Sequence, residues 1–204
     1  MKSYPSIEGP SRAPHESGIA FYKYDGSNLR FEFTKKKGWS KFGTRNRLFD
    51  HSDPDFGGAI DIFKESLASD LENIFKKHYR DDHEITVFCE FFGKESFSGQ
   101  HKKDDPKQLK LIDIEIYKKG FVSPRDFVNV FCKELGDKAA EVIYEGNFND
   151  QFIQDVRDGK YPVWEGVVFK GGSRHKLWRT KVKTNAYLEK LKEVYRDSWK
   201  SYWE

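Results

Sequence analysis

Lys23-Tyr24-Asp25-Gly26 sets an amine, a carboxylate and a turn glycine side by side, between the apolar runs Gly18-Ile19-Ala20-Phe21-Tyr22 and Leu29-Arg30-Phe31-Glu32-Phe33. A lysine beside a carboxylate can act as an attacking nucleophile once it has lost its proton. The same residue types also make ordinary solvated turns, so the tetrad alone leaves both readings open. Other charged residues interrupt strand-like segments further along. Glu90 lies inside Glu84-Ile85-Thr86-Val87-Phe88-Cys89-Glu90-Phe91-Phe92, Glu165 opens Glu165-Gly166-Val167-Val168-Phe169-Lys170, and Lys181 and Lys183 flank Val182. Strand side chains alternate in direction, which puts Lys181 and Lys183 on one face, two amines placed to flank one ligand. Burying a charge without a partner costs several kcal/mol. A single such residue also fits an edge-strand charge that deters aggregation. Taken together, the set points to a polar site built on strands.

The elements that must position these groups are mixed. Phe21 to Tyr24 and Leu29 to Phe33 read as an antiparallel pair around Asp25-Gly26, with Lys35-Lys36-Lys37-Gly38 turning into Trp39-Ser40-Lys41-Phe42. From Gly58 to Tyr79, Ile60, Phe63, Leu67, Leu71, Ile74 and Phe75 recur at helical spacing, a stripe that reads as core packing. The segment 84–92 reads as a strand buried on both faces, and Leu109 to Tyr117 alternates as a half-exposed strand. Ser123-Pro124 supplies an N-cap and a first-turn proline for a helix to about Leu135, stopped by Gly136. A strand at Glu141 to Tyr144, a short helix near Asp150 to Asp158, a strand pair 164–170 and 177–183 around Gly171-Gly172, and a terminal helix from Asn185 to Trp203 complete the reading.

The chain has 204 residues, 37% hydrophobic and 16% aromatic, enough for one substantial core and one domain. Its 36 basic and 33 acidic residues nearly cancel to a net charge of +3, so any nucleic-acid surface has to be local. Cys89 and Cys132 lie in apolar stretches without metal-ligand spacing and read as reduced core thiols. Residues 1–18 are polar and carry three of the seven prolines, which argues against a signal peptide or membrane span. A cytoplasmic or nuclear monomer with no membrane association is expected.

The ordered motifs resemble the covalent nucleotidyltransferases, meaning the polynucleotide ligases and messenger-RNA capping enzymes. Lys23-Tyr24-Asp25-Gly26 matches the nucleophile motif, Phe42-Gly43-Thr44-Arg45 the arginine motif and Glu90-Phe91-Phe92-Gly93 the third motif. Glu165-Gly166-Val167-Val168-Phe169-Lys170 and Lys181-Val182-Lys183 match the fourth and fifth. Asn28 stands two residues past the motif glycine, where DNA ligases and capping enzymes usually carry arginine. That favours RNA ligases, in particular the branch similar to bacteriophage T4 RNA ligase 2. Tyr22 stands where many RNA ligases have an acidic residue, and Ile112 where an aromatic usually stacks on the purine.

This resemblance implies an α+β, ATP-grasp-like nucleotidyltransferase domain over residues 1–204, with antiparallel sheets flanked by helices, a terminal helix over 185–204 and no OB-fold domain. It implies that Lys23 attacks the α-phosphorus of ATP to form lysyl-AMP, aided by Lys181 and Lys183, whose charge, together with a divalent metal, would lower the lysine pKa from about 10.4. Asp25 and Glu165 would hold Mg²⁺ or Mn²⁺. Tyr22, Asn28, Arg45, Glu90, Ile112 and Lys170 would contact the nucleotide, Glu90 through a ribose hydroxyl and Lys170 through a phosphate. AMP would then pass to a 5′-phosphate end, and a 3′-hydroxyl would seal the strand. Among the local basic clusters, Lys35, Arg47, Arg174 and Lys176 are the expected contacts to RNA. The alternatives are a DNA or RNA/DNA hybrid nick ligase, and a nucleic-acid-binding relative without full sealing activity.

Overall fold

The computed structural model describes residues 3–94, 96, 102, 104–173 and 176–202, with the backbone alone at 201 and 202. Its strands are β1 (Ser17–Tyr22), β2 (Ser27–Thr34), β3 (Gly38–Thr44), β4 (Leu48–Phe49), β5 (Glu84–Phe92), β6 (Gln108–Ile116), β7 (Gly120–Phe121), β8 (Val142–Asn147), β9 (Gly166–Gly171) and β10 (Trp178–Lys183). They form a four-stranded sheet in the order β10-β9-β1-β8 and a six-stranded sheet in the order β4-β3-β2-β5-β6-β7. The pairings between these strands are all antiparallel.

The expected pair around Asp25-Gly26 does not form. β1 pairs with β8 and β9, while β2 pairs with β3 and β5, so residues 23–26 carry the chain from one sheet to the other. This crossing places Lys23 between the sheets instead of at a solvated hairpin tip. It needs a residue without a side chain at Gly26, where a Cβ would collide with the Phe91 carbonyl.

The six-stranded sheet buries Leu29, Phe31, Val87, Cys89, Leu111 and Ile114 on one face. Against that face packs a continuous helical stretch: α1 (Gly57–Phe63), a π-helical turn (Lys64–Ala68) and α2 (Ser69–His78). Phe31 and Phe63 stack at 3.9 Å, and all six residues of the predicted helical stripe are buried. Each such side chain contributes about 1.5–3 kcal/mol on burial. A second stretch, α3 (Pro124–Asp126), a π-helical turn (Phe127–Cys132) and α4 (Lys133–Leu135), packs there too. Its start is fixed as the sequence suggests, by Ser123 Oγ accepting from Asp126 N at 3.1 Å, and Gly136 stops it at φ 57°.

The four-stranded sheet has its own core, where Phe169, Val167 and Val182 meet Phe152 and Val156 of α5 (Asp150–Arg157). Finally, α6 (Asn185–Tyr195) buries Tyr187, Leu188 and Leu191. It ends earlier than its apolar stripe suggests, because Arg196 adopts φ 44°, and a 3₁₀ segment follows from Arg196 to Tyr202.

β6 departs from its half-exposed reading. Asp113 and Glu115 are buried, at 2% and 6% exposure, because this face of the sheet meets the four-stranded sheet and the N-terminal segment instead of water. The register slips between Phe88 and Cys89, so that Phe88 faces Asp113, Cys89 faces Leu111, and Ile112 is left as the extra residue of a bulge. Bulges of this kind re-aim a side chain out of the ladder.

Candidate functional site

Lys23 follows β1 directly, and its backbone N–H donates to the Gly166 carbonyl at 3.0 Å. That bond places its amine beside Glu165: Lys23 Nζ lies 2.9 Å from Glu165 Oε1, and Lys183 Nζ reaches the same oxygen at 3.5 Å. Gly166 permits the approach. It sits at φ 147°, and a Cβ there would run into the Val182 carbonyl of β10. Glu165 is 3% exposed, and its Oε2 has no hydrogen-bond partner. Two lysines converge on one oxygen of a buried carboxylate while the other oxygen is left for a ligand.

In the ligand-free chain the carboxylates set the balance on Lys23. Burial lowers its pKa, but Glu165, with Glu90 and Asp25, outweighs that effect and holds Lys23 above its ordinary value. Neighbouring cations act on Lys183. Burial lowers its pKa, Glu165 opposes, and Lys23 and Lys181 lower it further. Tyr187 of α6 joins the group through a 3.4 Å hydrogen bond to Asp25 Oδ1, and the Lys183 amine lies 5.0 Å over its ring.

Beside this cluster a cavity of about 700 Å³ opens between the two sheets. Tyr22, Lys23, Asn28, Arg45, Arg47, Glu90, Ile112, Lys170 and Lys181, which sequence reasoning singles out, all line it. Asp25 lines an adjoining cavity, and Glu165 and Lys183 lie buried beside Lys23. Ile112 from one sheet and Val168 from the other present aliphatic walls. Asn28 sits opposite Glu90 in the β2–β5 register, and its side chain favours the charged form of the Glu90 carboxyl against the effect of burial. Arg45 projects from a tight turn closed by Thr44 N donating to Arg47 O at 2.8 Å. Arg47 is paired with Asp53.

Lys170 lines the cavity, and its amine is engaged within the protein. Its amine is 5% exposed and donates to the Ile112 carbonyl at 2.6 Å and to Asp113 Oδ2 at 3.0 Å. Arg179 Nε and Nη2 also reach Asp113 Oδ2, at 3.1 and 3.0 Å, and Tyr4 Oη donates to it at 3.0 Å. Lys170 therefore anchors the bulge that presents Ile112. Burial depresses its pKa, Asp113 opposes, and Arg179 adds to the depression.

Two of the expected RNA contacts lie away from the cavity. Lys35 follows β2 at the end opposite Asn28, roughly 20 Å along the strand, and donates to the Arg80 carbonyl. Lys176 is exposed in the connection between β9 and β10. Arg174 lies outside the described residues.

The residues that sequence reasoning misses come chiefly from the N-terminal segment. Tyr4 is 4% exposed, Ser3 Oγ donates to the Arg45 carbonyl at 2.7 Å and accepts from Arg30 Nη1 at 2.6 Å, and the Glu8 carbonyl accepts from Lys181 N and Thr180 Oγ1 at 3.0 and 3.1 Å. Residues 3–8 thus fasten to both walls of the cavity. A lone aromatic in a polar, proline-containing stretch was the available signal for Tyr4.

Glu90 gives a first testable consequence. Burial raises its carboxyl to about 7, with Glu165 and Asp25 adding to the shift and Lys23 opposing it. A raised folded-state pKa means that the protonated carboxyl stabilises the fold. This contribution is complete below about 4.5 and is lost as pH rises through about 7. Because Glu90 still touches the solvent in the cavity, Glu90→Gln should stabilise the chain by about 1–2 kcal/mol at pH ~8 and by nearly nothing at pH ~4. Urea midpoints at the two pH values measure the difference, and an equal shift at both would contradict it.

The comparisons can now be set beside this geometry. The family model for RNA ligase matches residues 19–185, most of the chain. The chain belongs to the RNA ligase family. Among solved structures, an archaeal ATP-dependent RNA ligase superposes with a TM-score of 0.67 at 15% identity, covering 98% of this chain and 55% of that one. A Naegleria gruberi RNA ligase mutant with ATP and Mn gives 0.66 at 16% identity, over 93% and 58% of the two chains. A second Naegleria gruberi mutant, with AMP and Mn, gives 0.63 at 18%, over 86% and 52%. The chain spans a little over half the length of these structures, and the likeness at such identities is one of fold: the mixed α+β architecture with two antiparallel sheets. Comparison with curated proteins returns no match. Among the described residues, no helix is long and apolar enough to cross a membrane.

Proposed function

We propose that this RNA ligase family chain transfers AMP from ATP onto Lys23 and from there to the 5′-phosphate of an RNA end, which a 3′-hydroxyl then seals. The observation that carries this reading is the Lys23 amine 2.9 Å from Glu165 beside a cavity of about 700 Å³, a volume suited to a nucleotide. The residues fit ATP with a bound cation: Glu165 Oε2 is a buried acceptor without a partner, Asn28 and Glu90 face the cavity where Glu90 would accept a ribose hydroxyl, and Ile112 and Val168 can sandwich a base without an aromatic.

They also fit a divalent cation. Among the described residues, no cluster of three or more His, Cys, Asp or Glu forms a self-sufficient centre, which suits Mg²⁺ or Mn²⁺ held by one or two carboxylates together with substrate phosphates. Asp25 and Glu165 would hold it, and when bound the cation supplies charge neutralisation at the phosphates. The chain's own residues do the rest. Lys23, once deprotonated, forms the P–N bond as pyrophosphate leaves, while Lys181 and Lys183 stabilise the charge that develops on the phosphoryl oxygens. Lys170, tied to Asp113 and the Ile112 carbonyl, holds Ile112 in place. Arg45, at the mouth of the cavity, is positioned for phosphate oxygens.

Asn28, two residues past the motif glycine where DNA ligases and capping enzymes usually carry arginine, supports RNA over DNA. With ATP and a divalent cation, an all-RNA nick should be sealed at least about tenfold faster than an all-DNA nick of the same sequence. Equal rates would move the reading to a general nick ligase, and nick binding without sealing would move it to a nucleic-acid-binding relative.

A further inference from the structure

The nucleotide cavity opens on two flanks, and their charges differ. On one side an adjoining cavity shares Gly26, Ser27 and Phe56 with it and, among the described residues, sets Lys107 against Asp25 and Asp55. On the other side lies a groove of about 750 Å³ that shares Ser6, Ile7 and Lys181 with the nucleotide cavity. This groove runs between the segment 6–12 and α5. Asp150, Ile153 and Arg157 occur at i, i+3 and i+7 and so share one face of α5, while Phe152 and Val156 are buried in the core. Arg12 and His15 complete the opposite wall. The groove thus offers Arg12, Arg157 and Lys181 against Glu8 and Asp150, and Asp150 is 3.7 Å from the His15 ring.

From this asymmetry we infer that the groove between residues 6–12 and α5 seats the phosphodiester backbone of the polynucleotide strand whose end enters the cavity. A polyanion is drawn to the flank with excess positive charge, and the other flank offers Lys107 alone as a cation among its described residues. The groove meets the cavity at Lys181, so a strand lying in it can deliver its terminal phosphate without leaving a cationic surface. Guanidinium groups suit this contact, because their forked donors match phosphate oxygens. Arg12 and His15 fall outside the stretch that the family model matches, residues 19–185, so this wall is supplied by the chain's own N-terminal segment.

The inference rests on the reading of the chain as an RNA-end-joining protein, and its test separates the two. A 5′-phosphorylated RNA oligonucleotide with a 3′ fluorophore is titrated with the full chain and with Arg12→Gln/Arg157→Gln, following anisotropy over a range of salt concentrations. Neutralising two phosphate contacts should weaken binding about tenfold and reduce the slope of log affinity against log salt by about 1.4 for a single strand. Arg12→Gln alone, at an exposed position, should give about half that slope change. Labelling of the variants from α-labelled ATP should stay within about twofold of wild type, which also verifies their fold. Unchanged RNA affinity and salt slope with normal labelling would overturn the groove while leaving the function intact. Absence of labelling in the wild type, with RNA binding still sensitive to the arginines, would overturn the function while leaving the groove. Slower reversal of labelling by added pyrophosphate, with RNA affinity kept, would assign the groove to pyrophosphate and contradict the inference.

Discussion

Lys23→Ala should take up no label from ATP labelled at the α-phosphate, a loss of roughly 10⁴-fold or more, because it removes the amine proposed to form the P–N bond. The informative companion is Lys23→Arg. The guanidinium preserves the positive charge 2.9 Å from Glu165, so the ionic balance of the site changes little. It stays protonated at any usable pH and cannot attack. Equal loss in both variants therefore identifies nucleophilicity, not charge, as the contribution of Lys23, whereas substantial labelling of Lys23→Arg would place the reaction elsewhere. The pH dependence follows from the same contacts. Glu165, Glu90 and Asp25 hold the Lys23 proton above the ordinary lysine range in the ligand-free chain. Labelling under subsaturating ATP should then rise about tenfold per pH unit from roughly pH 6 upward, as the reactive neutral amine becomes more populated. A rate that is flat with pH would mean that deprotonation does not limit the reaction.

The largest stability effect is expected at Asp113→Ala. One carboxylate oxygen accepts from Lys170, Arg179 and Tyr4, in a site where Lys170 is 5% exposed and Arg179 is 9% exposed. Removing it strands two cations away from water, which costs about 3–5 kcal/mol, a large share of the stability of a single domain. The urea midpoint of Asp113→Ala should fall accordingly with the slope unchanged. Glu193→Ala on α6 provides the contrast. It breaks the exposed Lys190–Glu193 pair at 3.1 Å and should change stability by less than about 1 kcal/mol. Similar losses in the two variants would show that Asp113 is not the electrostatic hub. The contacts tie this loss to function, because Lys170 and Tyr4 join Asp113 to the bulge carrying Ile112 and to the N-terminal segment.

The candidate site residues were legible because they violate local pattern. Glu90 interrupts an apolar stretch of β5, Lys181 and Lys183 flank Val182 on β10, and each lies at the cavity or against Glu165. The helical stretches were legible for the opposite reason, since Ile60, Phe63 and Leu67 obey the period and are buried. What was not legible is pairing between distant segments. A turn such as 23–26 looks like a hairpin whether it returns to the same sheet or crosses to another, and only the partners β8 and β9, more than a hundred residues away, decide for the crossing. Asp113 misled in a related way. Alternation along β6 predicts a solvated face, but Lys170 and Arg179 arrive from the second sheet and make burial of the carboxylate affordable. Lys35 shows the limit of reading proximity from sequence, since it follows β2, the strand that carries Asn28, yet lies at its far end.

The central claim, that Lys23 Nζ is the atom to which AMP becomes joined, is tested most directly by peptide mapping. The wild-type chain is incubated with ATP and Mg²⁺ or Mn²⁺, digested, and analysed by mass spectrometry with fragmentation. One AMP moiety is expected, bonded to Lys23 and lost in acid but retained in alkali, as a phosphoramidate should be. An unmodified Lys23 peptide under conditions where ATP is bound, or AMP mapped to another residue, would contradict it.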